Sequence, residues 1–205
     1  HPCIEKPVKN NINISKNIII TGPNAAGKTT LIKASIINLL LTQQIGYGFY
    51  DSCETGFFDY IHCYLNIPDT CSRDSLFQAE ARRCKNILQT IINNPDKKHF
   101  CIFDELYSGT NPYEAISSAY SYLRFIAKNK NVKFLLTTHY LKLCDLLKSN
   151  KKILNKSMKT HIKDNVSTYL YKLVNGKSGL KGGVSVLKNL DYPEDILSET
   201  QSILR

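Results

Sequence analysis

The sequence has no tryptophan, one methionine and no uninterrupted apolar run approaching the roughly 20 residues that cross a bilayer. A membrane helix is therefore not expected. Acidic residues are scarce beside basic ones, 17 against 27, and the net charge of +10 favours anionic partners such as nucleotides or nucleic acid. The lysines are spread along the chain, with Lys97-Lys98 and Lys151-Lys152 as the local pairs, so no basic stripe is concentrated enough to read as a DNA-binding surface. Weak direct DNA contact is an expectation from charge alone, and steep weakening with salt would be its mark. The seven cysteines are odd in number and form no Cys-x2-Cys pair. That excludes a zinc site of that spacing and a closed disulfide framework, and it points to an intracellular, reducing compartment. Most of the cysteines should serve as small buried apolar residues. The start, His1-Pro2-Cys3-Ile4, has neither an initiator methionine nor a signal peptide's apolar core, and a piece of a longer protein is expected. Repeats and low-complexity tracts are also lacking. What remains, 205 residues with 42% apolar and 21% charged, suits one domain spanning 1–205 with one well-buried core.

The most informative stretch is Gly22-Pro23-Asn24-Ala25-Ala26-Gly27-Lys28-Thr29-Thr30. Two glycines enclose four residues and are followed by Lys and Thr, the spacing of a phosphate-binding loop. Such a loop curls its N–H groups inward around phosphate oxygens, and glycine permits the curl without a Cβ clash. Lys28 would carry a mobile positive charge to the outer phosphates. Thr29 would offer its hydroxyl to Mg2+, a cation that prefers hard oxygen ligands. Residues 17–20 are a short β-branched run that reads as a buried strand entering the loop. The residues after Lys28 read as a helix whose N-terminus favours anions.

A second apolar run, 99–103, stops abruptly at Asp104-Glu105. Opposite a phosphate loop, the first carboxylate would hold Mg2+ through water, and Glu105 would orient or deprotonate the attacking water. A third run, 131–138, ends at His139, which could hydrogen-bond the terminal phosphate. His1, His62, His99 and His161 read as structural. All three runs would place their chemistry at carboxyl ends of strands, where α/β sheets bind ligands.

The remaining chain reads in order. Residues 1–16 form an extended lead-in. The first helix should end at 43–44, with Gly46 and Gly48 marking the stop before a new strand. Alternation suggests a strand within 59–67. A helix over 74–92 can be capped by Asp74 or Ser75, with Leu76, Ala79, Arg83, Ile87 and Ile91 at helical spacing. Further helices are expected over 113–129 and 140–147. Residues 150–160 are basic, 167–174 alternate like an antiparallel edge strand, 175–183 read as a glycine-rich loop, and Pro193 can begin a last helix.

Gly22-Pro23-Asn24 through Thr30, then Phe103-Asp104-Glu105 with Ser108-Gly109-Thr110, then Thr137-Thr138-His139 stand in an order that resembles the ATPase domain of the MutS family of DNA mismatch-repair proteins. The resemblance covers almost the whole chain, and Gly22-Pro23-Asn24 and Ser108-Gly109-Thr110 are its most specific pieces. It implies an α/β P-loop NTPase of the ABC-ATPase type, with a mixed sheet flanked by helices. It also implies ATP and Mg2+ as ligands and a dimer with a second copy or a paralogous domain. Each ATP would lie between one chain's phosphate loop and the other chain's signature helix, where Ser75 best matches the signature serine. Mismatch-reading and clamp domains would precede His1, so the chain is expected to be a C-terminal fragment that reaches DNA through domains it does not itself contain.

The chain also departs from the family pattern. Ser72-Arg73-Asp74 stands where a glycine accompanies the signature serine, Ala25-Ala26 replaces the common Met-Gly, and Val8-Lys9-Asn10 and Ser157 occupy the places of the adenine-stacking aromatic and histidine. Ala25-Ala26 points to a divergent branch, and the missing stackers imply adenine binding that is weak or base-unselective. Two alternatives accompany the ATPase reading: a nucleotide-dependent dimerisation module with little turnover, and another ABC-type ATPase. The absence of Leu-Ser-Gly-Gly-Gln argues against the latter.

Overall fold

In a computed structural model, described over residues 1–65, 75–163, 166–178 and 183–203, the chain forms a mixed six-stranded sheet flanked by helices. The strands are β1 (Asn17–Thr21), β2 (Tyr60–Tyr64), β3 (His99–Asp104), β4 (Val132–Thr138), β5 (Ile153–Lys163) and β6 (Val166–Asn175). Their spatial order is β2-β3-β4-β1-β5-β6; all neighbours are parallel except β5 and β6. The helices are α1 (Lys28–Ile45), α2 (Leu76–Asn93), α3 (Pro112–Ile126), α4 (Leu141–Leu147), α5 (Gly183–Asn189) and α6 (Glu194–Ile203).

Strand alternation divides the core in two. Ile18, Ile20, Phe100, Ile102 and Leu135 face α1 through Ile32, Ile36 and Leu39. Ile19, Cys101, Phe103, Phe134 and Leu136 face the other way, against Ile87 of α2, Leu123 of α3 and Leu143 of α4. Both faces of the central strands are therefore dry, which is why their sequences are continuous apolar runs rather than alternating ones. Burying each such aliphatic side chain contributes about 1.5–3 kcal/mol, so β1, β3 and β4 form a stiff platform.

Several expectations change. No strand follows the glycines at 46 and 48: Gly46 closes α1 in the left-handed region, and the next strand begins at Tyr60. Two of the intervening residues bond through their backbone to α1 side chains instead of joining a ladder. Asn38 accepts the Phe49 N–H, and Gln43 exchanges two hydrogen bonds with Phe58. The buried stripe of α2 is Glu80, Cys84, Ile87 and Ile91, whereas Arg83 is exposed and donates to the Cys63 carbonyl. The basic residues 150–160 contain most of β5, a strand paired on both sides. Helix α5 was not anticipated after the glycine-rich segment. The tail of the expected 59–67 strand, the Ser72-Arg73-Asp74 segment and residues 179–182 lie outside the described residues.

Among the described residues all six cysteines are free; Cys84, Cys101 and Cys144 are buried, while Cys3 and Cys53 are exposed, so only half follow the expectation of burial. The ring nitrogens of His62 and fully buried His99 lie 3.1 Å apart in a stack with Tyr60, and burial with His99 pushes His62 down to about 4. Among the described residues no helix is long and apolar enough to cross a membrane.

Candidate functional site

Three parallel strands, β1, β4 and β3, end side by side, and the residues singled out by sequence meet at their carboxyl ends. The loop after β1 turns on Gly27, whose φ of 88° is left-handed and where a Cβ would lie 3.0 Å from the Tyr171 ring. Gly22 is confined by space, with a Cβ there only 3.2 Å from Met158 Cβ. Ala25 is also left-handed, at φ 63°. Helix α1 then begins without a side-chain cap, so its first-turn amides, which have no acceptor within the helix, face the loop. Gly22, Pro23, Ala26 and Lys28 are buried, whereas Asn24, Ala25 and Thr30 are exposed.

Lys28 is 6% exposed, and its Nζ donates to the carbonyls of Gly22 at 2.9 Å and Pro23 at 3.2 Å. The same Nζ lies 3.8 Å from Glu105 Oε1. Burial lowers the Lys28 pKa, and Glu105 and then Asp104 oppose that shift.

Asp104 ends β3 and gathers two hydroxyls from different elements. Thr29 Oγ1 lies 3.0 and 2.9 Å from its two carboxylate oxygens, and Thr137 of β4 donates to Oδ1. Glu105 turns out of the strand with φ 53° while its N–H donates to the Thr137 carbonyl at 3.1 Å. Its Oε2 is 3.6 Å from His139 Nδ1. The nearby His139 ring is the main reason that the Glu105 carboxyl is held below the usual carboxylate range; burial opposes the shift and Lys28 adds to it. His139 itself is half exposed and packs on Tyr140.

An open cleft of about 310 Å³ runs along this edge, lined by Thr29, Tyr64, Leu76, Glu80, Asp104, Glu105 and Ser108. Lys28, Thr29, Asp104, Glu105 and His139 are thus brought together. Ser75 is not among the lining residues: it is exposed and caps α2, its hydroxyl accepting the Gln78 N–H while Gln78 accepts the Ser75 N–H. Sequence reasoning missed Thr137, Tyr64 and Glu80. A carboxylate on the apolar stripe of α2 was a readable signal for Glu80. Tyr64, in a strand of ambiguous pattern, had none.

The family model described as MutS domain V matches residues 18–205. The DNA mismatch repair protein MutS of Bacteroides thetaiotaomicron is 32% identical over 219 residues, covering 100% of this chain and 25% of that protein. The protein of the same name from Persephonella marina is 32% identical over 212 residues, covering 100% and 24%. That from Streptococcus thermophilus is 30% identical over 187 residues, covering 91% and 22%. The chain spans about a quarter of the length of these relatives. With a family match across nearly all of its residues and relatives that carry its whole length, the chain belongs to the MutS family.

Proposed function

We propose that this chain, folded as a single domain, is a P-loop ATPase domain of the ABC type in a MutS-like DNA mismatch-repair or DNA-maintenance protein, binding ATP with Mg2+ and hydrolysing it to ADP and phosphate. The observation that carries the reading is the convergence of Lys28, Thr29, Asp104 and Glu105 at one sheet edge, with Thr29 and Asp104 already in hydrogen-bond contact.

That pair is an all-oxygen donor set, a hydroxyl and a carboxylate, which suits Mg2+. When bound there, Mg2+ would neutralise charge on the outer phosphates. Thr137 holds the Asp104 carboxylate in place from β4. The first-turn amides of α1 and the loop Gly22 to Gly27 cradle phosphate oxygens, and Lys28 exchanges its two carbonyl partners for them. Glu105, kept ionised by His139, accepts a proton from or orients the attacking water. His139, half exposed beside Glu105, is placed to donate to the terminal phosphate. Ser75, at an exposed helix N-terminus, would grip the γ-phosphate held by a second copy or paralogous domain, completing that site in trans. Contact with DNA would come chiefly through domains outside this chain.

A nucleotide-dependent dimerisation module with little turnover is the second reading. Its support is that Asn10, where the family has its adenine-stacking segment, is engaged with β6 through the Tyr171 carbonyl and the Leu173 N–H, while Ser157 is buried in β5. Steady-state hydrolysis with Mg2+ separates the two. Wild type turning over ATP well above Lys28→Ala and Glu105→Gln supports the ATPase, and equal rates for all three leave the binding module.

A further inference from the structure

Glu80 is a carboxylate on the buried face of α2, 2% exposed, and the hydrolysis described above gives it no part. Its neighbours along the stripe are Cys84, Ile87 and Ile91, where an unsatisfied charge would be strongly destabilising. One short turn satisfies it. Oε1 accepts from the Ser108 N–H at 3.0 Å and the Ser108 hydroxyl at 2.9 Å, and Oε2 accepts from the Gly109 N–H at 3.0 Å. The Tyr64 hydroxyl also lies against this carboxylate and, with burial, is raised above the usual phenol range.

The turn so held is the continuation of Asp104-Glu105. It is also pressed onto the start of α2: a Cβ on Gly109 would come within 2.7 Å of Leu76 Cγ and 2.8 Å of the Phe77 nitrogen. The Tyr64 hydroxyl accepts the Tyr107 N–H at 3.2 Å, at a residue with φ 59°. Glu80 therefore sits where the turn bearing Glu105 meets the helix end bearing Ser75. Glutamine cannot reproduce the arrangement, because serving Ser108 through its one carbonyl oxygen turns an N–H2 toward the Gly109 N–H.

We infer that Glu80 is a positioning residue that locks the N-terminus of α2 to the turn after β3. The group this chain would lend to a partner's site and the carboxylate it would use in its own are thereby held as one body. The inference rests on the proposed ATP site completed in trans.

Mixed dimers of the full-length protein test it. One subunit is intact and the other carries Lys28→Ala, so the single working site takes its Ser75 from the Lys28→Ala subunit. Adding Glu80→Gln to that subunit should lower kcat about tenfold while KM for Mg-ATP moves less than about twofold. Adding Ser75→Ala to it serves as the reference. A loss with Ser75→Ala and none with Glu80→Gln overturns the role of Glu80 and leaves the trans-completed site standing. No loss with Ser75→Ala overturns the trans-completed site, and the role of Glu80 with it. Should Glu80→Gln fail to fold by thermal melting, Ser108→Ala in the same subunit removes one of the three bonds and should lower kcat about threefold; an unchanged kcat overturns the inference.

Discussion

The loop after β1 and the turn after β3 leave the same edge of the sheet, and both contain left-handed backbone, yet they hold their bends by different means. The loop uses residues with little or no side chain: Gly27 at φ 88° and Ala25 at φ 63°. It closes with the Ala26 N–H on the Pro23 carbonyl and two bonds from Lys28 to the Gly22 and Pro23 carbonyls. The turn instead forces Glu105 and Tyr107 to φ 53° and 59°, at about 1–3 kcal/mol each. That cost is offset by committed amides: Glu105 to Thr137, Tyr107 to Tyr64, and Ser108 and Gly109 to Glu80. The loop's bend thus rests on small residues and on bonds from one lysine, whereas the turn that carries Glu105 has its amides occupied by a neighbouring strand and by side chains.

The difference can be broken first at its functional ends. Lys28→Ala should abolish ATP binding, while Glu105→Gln should bind ATP yet hydrolyse it about 10²-fold more slowly or worse. Equal loss of binding in both, measured by equilibrium dialysis, would erase the division of labour. Next come the supports. Tyr64→Phe strips the acceptor from the buried Tyr107 N–H and a donor from Glu80, and should cost about 1–3 kcal/mol in urea unfolding. On the loop side, Gly27→Ala should cost about 1–2 kcal/mol from backbone strain, made worse by the Tyr171 ring. Ala25→Gly, at an exposed left-handed position, should be near neutral. Similar losses for the two would show that the loop's bend does not depend on small side chains.

The smallest effect is in pH. Because His139 depresses the Glu105 pKa, the ionised form survives to lower pH, and the acid limb of the kcat profile should lie below the ordinary carboxylate range. The associated stability is present above the unfolded-state pKa of Glu105 and fades as pH falls through the depressed one. His139→Ala should move the acid limb upward. An unmoved limb would mean that His139 does not set the charge of Glu105.

Much of this edge was legible because both kinds of bend leave sequence marks. Gly22 and Gly27 announce a constrained loop, and a dry run ending in Asp104-Glu105 announces a strand buried on both faces. The supports were harder to see. Thr137 differs from any other strand-end threonine only through its distant partner Asp104, and Tyr64 acts through Tyr107, 43 residues away. Helical spacing through Arg83 gives Glu80 no role, whereas a stripe through Cys84, Ile87 and Ile91 puts a carboxylate at its head and demands a partner. Strand β5 is basic by composition, and pairing with β1 and β6 supplies what its lysines do not.

The most direct test of the central claim, that this edge of the sheet hydrolyses ATP through Glu105, is a single-turnover experiment with protein in excess over Mg-ATP, quenched and resolved into ATP and ADP. Wild type is predicted to convert its bound ATP to ADP and phosphate while Glu105→Gln retains ATP intact. Wild type that binds ATP but converts it no faster than Glu105→Gln would contradict the account.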